Sequence, residues 1–471
     1  MDELILDILQ QLRDGSQGAL DTHQLEMLIN SHNSGIDSSA HSTEREKLIP
    51  KRAILPYFLQ VKQNNDELWQ SWNVTPELEE RFIRSVRMKP RRTASGVATI
   101  TVITRPHTCS SNCIYCPCDL RMPKSYLANE PACQRAELTF FDPYVQVAAR
   151  LQALHQMGHS TDKVELIVLG GTWSDYPESY QYWFIKELFR ALNEWPNAPS
   201  HIQERLDWYT SFGLQNSDEA LSSFVAKQQA AVFEDAATYN QAFHKLYDTS
   251  QPHQSAWSKM QSTYDELVEQ QHVNETAAAR VVGLVIETRP DTITPDNLRM
   301  FRQLGCTKIQ IGIQSTRQEI LDANKRQMSA AQIKRAFSLI RLYGFKIHSH
   351  LMVNLLGATP EADKQDFKTF VTDPGFLPDE IKLYPCALVA GTQLVQKYRE
   401  GAWQPYAKDE LVDVLVQDVL TTPPYVRISR MIRDISATDI LVGNKHTNLR
   451  QMVEQELAAK DVASRVQEIR F

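Results

Sequence analysis

Six short segments rich in β-branched and aliphatic residues recur along this chain, with amphipathic helical patterns between most of them. This alternation constrains the fold most strongly, because strand, helix and strand in succession build a parallel sheet covered by helices. Six strands predict an incomplete α/β barrel, a partial (β/α)6 arrangement with its functional groups at the carboxyl ends of the strands. The candidate strands are residues 97–104, 164–169, 281–287, 308–314, 346–354 and 380–384.

The 471 residues divide into three regions that differ in composition and in hydrophobic periodicity. Residues 1–95 are charged and helix-like, and they contain a polar stretch at 31–46 that is typical of a linker. Residues 96–385 carry the barrel pattern. They are interrupted by a strand-free insertion at about 196–279, which we expect to be helical and to pack on the outside of the barrel. Residues 386–471 are expected to form a C-terminal extension that packs on the barrel.

Composition narrows the class of protein. The hydrophobic fraction of 42% and the charged fraction of 23% are those of a folded globular chain. No segment approaches the about 20 apolar residues of a membrane-spanning helix, and the acidic N-terminus does not resemble a signal peptide. Seven unevenly spread cysteines argue against a secreted disulfide framework. These features predict a cytoplasmic protein.

A basic segment stands out against the net charge of −7. Six of the twelve residues from Arg81 to Arg92 are lysine or arginine, immediately before the first candidate strand. Because the overall field is acidic, any affinity for nucleic acid must come from such local clusters. The segment is interpreted as a phosphate-binding surface, and a solvated helix face is the alternative.

Three cysteines give the chain its most specific motif. Cys109, Cys113 and Cys116 form a C-x3-C-x2-C spacing in the loop after the first candidate strand. Three thiolates from one loop can hold three irons of a [4Fe–4S] cluster and leave the fourth iron open to S-adenosylmethionine (SAM). One electron delivered through such a cluster cleaves SAM and releases a 5′-deoxyadenosyl radical. The alternative is a zinc site with Cys118 or His107 as the fourth ligand.

Polar and glycine residues follow several of the candidate strands, where a cofactor with an amino acid end and a ribose would need them. Glycines allow close backbone approach, a carboxylate can bind ribose hydroxyls, and an arginine can pair with a carboxylate. An ordinary turn is the alternative for the glycines, and an ordinary ion pair is the alternative for the carboxylate and the arginine. His348, His350 and Asn354 share one side of the fifth strand and line a substrate cavity if that side faces the lumen. The strand-end candidates are Gly170, Gly171 and Thr172, then Glu287 and Arg289, then Gln314.

Ordered blocks across the chain resemble one known family, the catalytic subunit of Elongator, a radical SAM enzyme that modifies the wobble uridine of tRNA. The resemblance covers roughly residues 80–470 apart from the insertion. Its blocks are residues 88–98, 105–107, 116–117, 142–144, 158–165, 170–172, 286–291, 312–315, 382–385 and 433–435.

The resemblance implies a radical SAM barrel with an N-terminal tRNA-binding region. Cys109, Cys113 and Cys116 would hold the [4Fe–4S] cluster, and the six strand-end candidates would surround SAM. Tyr384, Lys163 and His350 would have catalytic roles. The residues that would hold the anticodon arm of tRNA are Arg84, Arg87, Lys89, Arg91, Arg92, Lys382, Arg427, Arg430, Arg433 and Lys445.

Two features depart from the family. The family continues into an acetyltransferase domain where this chain stops, and no acetyl-CoA pyrophosphate loop is evident earlier, although acetyl-CoA is the family's acyl donor. Cys118 stands where a glycine is expected. A homodimer or a partner could supply the acyl transfer. The alternatives are a radical SAM enzyme acting on another substrate, or a catalytically degenerate RNA-binding or scaffold protein.

One spatial expectation follows from the tRNA hypothesis. The basic residues at 81–92 and those at 427–450 lie on either side of the barrel in sequence. They can form one tRNA-binding groove only if the C-terminal extension folds back across the N-terminal region.

Overall fold

The computed structural model describes residues 1–15, 18–34, 48–446 and 448–459. Most of the predicted linker, residues 35–46, lies outside the described part, as do residues 460–471 of the C-terminal extension. The N-terminal region folds into helices around a core of its own, in which the rings of Phe58 and Phe82 stack 4.1 Å apart. These helices are α1 (Asp2–Asp14), α2 (Thr22–Asn33), α3 (Lys51–Asn64), α4 (Asp66–Ser71) and α5 (Pro76–Val86).

Local sequence signals set where these helices begin. The Asp21 carboxylate accepts a hydrogen bond from the backbone of Gln24, whose side chain accepts one from the backbone of Asp21. This reciprocal capping box satisfies two amides that have no partner inside the helix. Thr75 caps α5 with its hydroxyl, and Pro76 occupies the first helical position, where the missing amide costs nothing.

The sheet is parallel, with strands in the order β1-β2-β3-β4-β5-β6-β8, and it does not close on itself within the described residues. The predicted half-barrel is therefore confirmed, and all six predicted strands are present. A seventh strand, β8, was not predicted, because its short polar sequence RISR has no run of apolar residues. The strands are β1 (Ala98–Ile103), β2 (Lys163–Leu169), β3 (Arg280–Thr288), β4 (Lys308–Gln314), β5 (Lys346–Val353), β6 (Glu380–Pro385) and β8 (Arg427–Arg430).

Helices cover the outer face of the sheet, and the main core lies between the two layers. Along each strand the outward side chains are aliphatic and buried, as Ile100, Leu166 and Ile309 are. The inward side chains are largely polar, so the half-barrel has a polar lumen. Helix α6 (Pro131–Leu138) lies on the lumen side, where Cys133 packs with Ile103 of β1. The covering helices along the barrel are α7 (Pro143–Gln156), α8 (Glu178–Asn193), α14 (Pro295–Gln303), α15 (Gln318–Ala323), α16 (Ala330–Leu342) and α17 (Pro360–Thr372).

The insertion between β2 and β3 is helical, but only part of it packs on the outside of the barrel. Helices α9 and α13 contact the outer helices α7 and α8, as expected. Helices α10 to α12 instead pack against residues 118–122 of the cysteine loop, which corrects the expectation of a wholly external insertion. The insertion helices are α9 (Ile202–Ser211), α10 (Asp218–Phe233), α11 (Tyr239–Phe243), α12 (Gln251–Trp257) and α13 (Tyr264–Asn274).

The C-terminal extension returns to the barrel and supplies its last strand. Its helix α19 packs on α17, and a two-stranded antiparallel ribbon joins β7 (Leu388–Val389) to β9 (Ile440–Val442). Across the described part of the chain, no helix is long and apolar enough to cross a membrane. The remaining helices are α18 (Leu394–Arg399), α19 (Lys408–Thr421) and α20 (Leu449–Ala459).

Candidate functional site

A cavity of about 1450 Å³ occupies the lumen of the half-barrel. It extends from the cysteine loop at the carboxyl ends of the strands to residues at their amino ends. Side chains on a strand alternate between its two faces, so every second residue of the inner strands reaches this space. Lumen-facing residues include Glu165, Glu287, Lys308, Gln310, His348, His350, Lys382 and Tyr384.

The three motif cysteines all line this cavity, in the loop that follows β1. The Cys113 thiol lies 3.3 Å from Nη1 of Arg326, 3.1 Å from the Ser111 hydroxyl and 3.9 Å from Nη1 of Arg289. Burial opposes ionisation of Cys113, but the two guanidinium groups and the hydroxyl outweigh it and lower its pKa to about 6. The loop is thus prepared to hold a thiolate, the form that binds iron.

A lysine supports the same loop. Nζ of Lys124 donates a hydrogen bond of 2.7 Å to the backbone oxygen of Ser111. Burial lowers the pKa of Lys124, but the nearby cysteine sulfurs raise it more, so the net pKa is raised. Burial raises the pKa of Cys116 to about 12. The loop therefore combines one acidic thiol with one deeply buried neutral thiol.

The two alternative fourth ligands face elsewhere. Cys118 donates to the backbone oxygen of Cys116 and packs against the insertion, outside the residues that line the cavity. Nε2 of His107 lies 2.9 Å from the backbone oxygen of Asp175, and its ring stacks on Tyr176. Burial lowers the pKa of His107 to about 4. Among the described residues, no three His, Cys, Asp or Glu side chains lie close enough together to hold a single metal ion. A four-iron cluster does not require this, because each of its irons takes only one thiolate.

The two glycines after β2 have different roles. A side chain on Gly170 would place its Cβ 1.7 Å from Oγ1 of Thr104, so Gly170 is required by the packing of β2 against β1. Gly171, with a φ of +83°, lines the cavity as expected for a residue that lets a ligand approach the backbone. Thr172 also lines the cavity, and its hydroxyl is 3.7 Å from the Cys109 sulfur.

The strand-end candidates Glu287, Arg289 and Gln314 meet in the same cavity. One oxygen of Glu287 accepts a hydrogen bond from the Tyr126 hydroxyl. Arg289 pairs bidentately with Asp291, at 2.8 and 2.9 Å, and not with Glu287. Gln314 adopts a φ of +73°, and its buried Oε1 accepts no hydrogen bond from any residue that the structure describes.

The structure separates the predicted catalytic residues. His350 and Tyr384 face the lumen, with their rings 5.7 Å apart. Lys163 is exposed at the amino end of β2, outside the residues that line the cavity and about 20 Å along the strand from the cysteine end.

Asn354 lies just beyond β5, where the alternation of side chains stops. It adopts a φ of +64°, and its amide oxygen accepts a hydrogen bond from the backbone of Tyr406. It therefore supports a loop and does not line the cavity with His348 and His350.

The two basic segments meet along one cavity, as the tRNA hypothesis requires. Lys89, Arg91 and Arg92 line it from the side of β1, and Arg427, Arg430 and Arg433 line it from the side of β8. Because β1 and β8 are the two edge strands, these residues flank the gap at which the barrel fails to close.

The remaining predicted tRNA contacts lie elsewhere or are already engaged. Arg84 forms an ion pair with Glu80, and neither Arg84, Arg87 nor Lys445 lines the cavity. Arg433 lines the cavity, but it forms an ion pair of 2.7 Å with Glu130. This ion pair links the segment that follows β8 to the segment that follows β1, across the two edges of the sheet.

Sequence reasoning missed several functional-site residues. Arg326 lies in a loop after α15, far in sequence from the Cys113 thiol that it contacts, so no local pattern reveals it. Arg135 and Arg150 also line the cavity, and burial together with Arg92 and Arg135 lowers the pKa of Arg150 to about 10. Gln310 was predictable from sequence. It lies four residues before Gln314 on β4, and an even spacing along a strand places both side chains on the same face.

Comparisons with known proteins agree with this geometry. Residues 255–369 match the Radical SAM superfamily, and residues 378–459 match the Radical_SAM C-terminal domain. The tRNA uridine(34) acetyltransferase of Methanocaldococcus infernus is 33% identical over 397 residues, 83% of this chain. The protein of the same name from Dehalococcoides mccartyi is 34% identical over 372 residues, 79% of this chain. The chain belongs to the Elongator-type radical SAM family.

Two further relatives extend the family. Elongator complex protein 3 of Homo sapiens is 28% identical over 408 residues, 84% of this chain. The solved structure of the archaeal Methanocaldococcus infernus Elp3 with an N-terminal deletion matches 78% of this chain with a TM-score of 0.55 at 30% identity, and the match covers 63% of that structure. The chain spans 62% of the length of the M. infernus and human proteins and 66% of the D. mccartyi protein.

Proposed function

We propose that this member of the Elongator-type radical SAM family modifies C5 of the wobble uridine in tRNA. The observation that carries the proposal is the joint lining of one cavity by three cysteines and by basic residues from both edges of the sheet. The names of its relatives, which act on uridine 34 of tRNA, support the same substrate.

The residues present fit a [4Fe–4S] cluster and SAM. Cys109, Cys113 and Cys116 would hold the cluster, with Arg326 and Arg289 stabilising negative charge on its sulfur ligands. The cluster and SAM, when bound, supply one-electron cleavage of the SAM sulfonium. The residues proposed to surround SAM are Gly171, Thr172, Glu287, Arg289 and Gln314, while Gly170 serves the packing beneath them.

The basic residues at the gap would bind the anticodon arm. Lys89, Arg91 and Arg92 on one edge and Arg427 and Arg430 on the other can contact phosphates on both sides of an RNA loop. Such contacts fix the position of the RNA and do not choose its sequence. A base turned into the lumen would then leave water and enter a cavity where a reactive species is protected.

Acetyl-CoA is the proposed acyl donor. The support is that two relatives are named tRNA uridine(34) acetyltransferase.

The test is analysis of the modified nucleoside. The protein is reconstituted anaerobically with iron and sulfide, and then incubated with SAM, a reductant, acetyl-CoA and unmodified tRNA. Mass spectrometry of the digested tRNA should show a carboxymethyl-type mass increase on wobble uridine, absent with Cys113→Ser. A wobble uridine of unchanged mass, from protein that cleaves SAM, would favour another substrate. Protein that binds zinc and no iron would favour the scaffold hypothesis.

A further inference from the structure

Three polar side chains form a cluster on the inner wall of the half-barrel, deeper than the cysteine loop. Gln310 lies on β4, His350 on β5 and Lys382 on β6, and all three line the cavity. His350 and Lys382 are directly opposite each other in the register of the two strands. Nζ of Lys382 donates a hydrogen bond of 2.8 Å to Oε1 of Gln310, which fixes the orientation of that amide.

Two nitrogen atoms of this cluster lack partners. Nε2 of Gln310 and Nε2 of His350 are fully buried and form no hydrogen bond with any of the described residues. Gln310 as a whole is 1% exposed. Leaving such groups without a partner costs free energy, so their presence in the wall of a cavity indicates a polar ligand. The amide nitrogen of Gln310 needs a hydrogen-bond acceptor, whereas Nε2 of a neutral imidazole needs a donor when Nδ1 carries the proton. Lys382 has further N–H donors beyond the one used on Gln310.

The charges around the cluster favour the same kind of ligand. Burial, Lys382 and the arginines at 433, 326 and 430 hold the pKa of His350 well below its usual range, so this ring is neutral. The positive surroundings attract partially negative oxygen atoms. On the neighbouring wall, the Glu287 carboxylate supplies an acceptor, 3.9 Å from Nδ1 of His350.

Donors on one wall and an acceptor on the other match the edge of a uracil ring. Uracil presents two carbonyl oxygens on either side of one N–H, whereas cytosine replaces one of those oxygens with an amino donor. We infer that Gln310, His350 and Lys382 form a subsite for a uracil base that rejects cytosine: the Gln310 amide and Lys382 donate to its carbonyl oxygens, and Nε2 of the neutral His350 ring, whose Nδ1 faces Glu287, accepts from its N–H. The inference rests on the proposed function, and it adds the residues that choose the base.

The test compares anticodon stem-loop RNAs that differ only at the wobble position: uridine, cytidine or an abasic site. Fluorescence anisotropy with the anaerobically reconstituted protein measures the three dissociation constants. Wild-type protein should bind the uridine form about 10-fold more tightly than the abasic form, the contribution of about one good hydrogen bond. Gln310→Leu and Lys382→Met should each reduce this ratio below about 3-fold and leave the abasic form bound as before.

Two further variants control the comparison. Gln310→Glu keeps the size of the side chain and removes its donors, so it should lose the preference for uridine even if Gln310→Leu folds poorly. Lys346→Met removes a lysine at the exposed amino end of β5, in the same cavity but away from the cluster. It should keep the uridine-to-abasic ratio of the wild type.

The outcomes separate the two hypotheses. Equal binding of uridine and abasic forms by wild-type protein would overturn the subsite and leave tRNA as the substrate. An unchanged ratio in Gln310→Glu and Lys382→Met would also overturn it, and would indicate that the cluster serves another carbonyl, such as that of the acyl donor. Failure to bind any stem-loop would overturn the proposed function itself.

Discussion

At the scale of single residues, Gly170→Ala should destabilise the fold, because the new Cβ would overlap the Thr104 hydroxyl. We expect a loss of about 2 kcal/mol or more in the free energy of unfolding, measured by urea denaturation. Gly96→Ala is the matched control: Gly96 also has a positive φ, of +78°, but nothing lies within 4 Å of the position that a Cβ would take there. Equal losses in the two variants would show that backbone strain alone explains Gly170.

Lys382 should make stability depend on pH. Burial, with Arg430 and Arg433, lowers its pKa to about 8 in the folded protein, below the value of about 10.4 for a free lysine. Between these values the unfolded chain binds more protons, so the folded state gains stability as pH rises. Lys382→Met should raise the melting temperature at pH 7 and raise it less at pH 10.

Calorimetry at the two pH values checks this, with Lys346→Met as the control for loss of a lysine from the cavity rim. An equal change of melting temperature at pH 7 and pH 10 in Lys382→Met would contradict the lowered pKa of Lys382.

Local sequence patterns identified some of the site residues but not others. The glycines after β2 and the polar residues at the ends of β3 and β4 were found because parallel strands bring their carboxyl ends to one edge. The reason for Gly170 was not evident from sequence, since the Thr104 side chain that excludes a Cβ follows the neighbouring strand. Arg326 was missed for the same reason: its contact with Cys113 joins segments 213 residues apart.

At the scale of elements, the insertion is the main difference between expectation and structure. Its helical character was predictable from spacing, but its position over the cysteine loop was not, because the apolar contacts join segments far apart in sequence and the hydrogen bonds run from side chain to backbone. The Asn240 amide donates to the backbone oxygen of Cys109 at 2.9 Å and accepts from the Cys109 amide at 3.1 Å. Gln229 makes the same kind of pair, with Leu120 and Cys118. The insertion thus satisfies backbone groups that a loop would otherwise leave to water.

Asn240→Ala should loosen the cysteine loop. We expect hydrogen exchange of the Cys109 amide in the metal-free protein to become at least about 10-fold faster, since one local hydrogen bond is lost. Gln203→Ala is the control, because the Gln203 side chain bonds only to Asp207 on the same exposed helix face among the described residues. Unchanged exchange at Cys109 would show that the loop holds its shape without the insertion.

At the scale of the molecule, the half-barrel was predictable from six strands, whereas the seventh strand and the meeting of the basic segments required the structure. The sequence RISR of β8 carries no strand signal of its own, and its pairing with β6 places Arg427 and Arg430 at the gap. The polar lumen was only partly evident, because alternation identifies one face of a strand but not which face is inside.

Charge removal on the two edges of the gap should weaken tRNA binding independently. Arg92→Gln and Arg427→Gln should each lower the affinity a few-fold and reduce the slope of log affinity against log salt by about one. Arg84→Gln is the control, since Arg84 pairs with Glu80 away from the cavity. If Arg84→Gln lost as much affinity for tRNA as the other two variants, the RNA would lie on the outer face of the N-terminal helices.

We propose that radical initiation and tRNA binding occur in one cavity, and formation of 5′-deoxyadenosine is the decisive measurement. The anaerobically reconstituted protein is given SAM and a reductant, with and without tRNA, beside the Cys113→Ser variant. We expect SAM cleavage that tRNA stimulates in the wild type, and no cleavage in Cys113→Ser, which should still bind tRNA. SAM cleavage that is indifferent to tRNA, or none from protein that holds iron and sulfide, would contradict it.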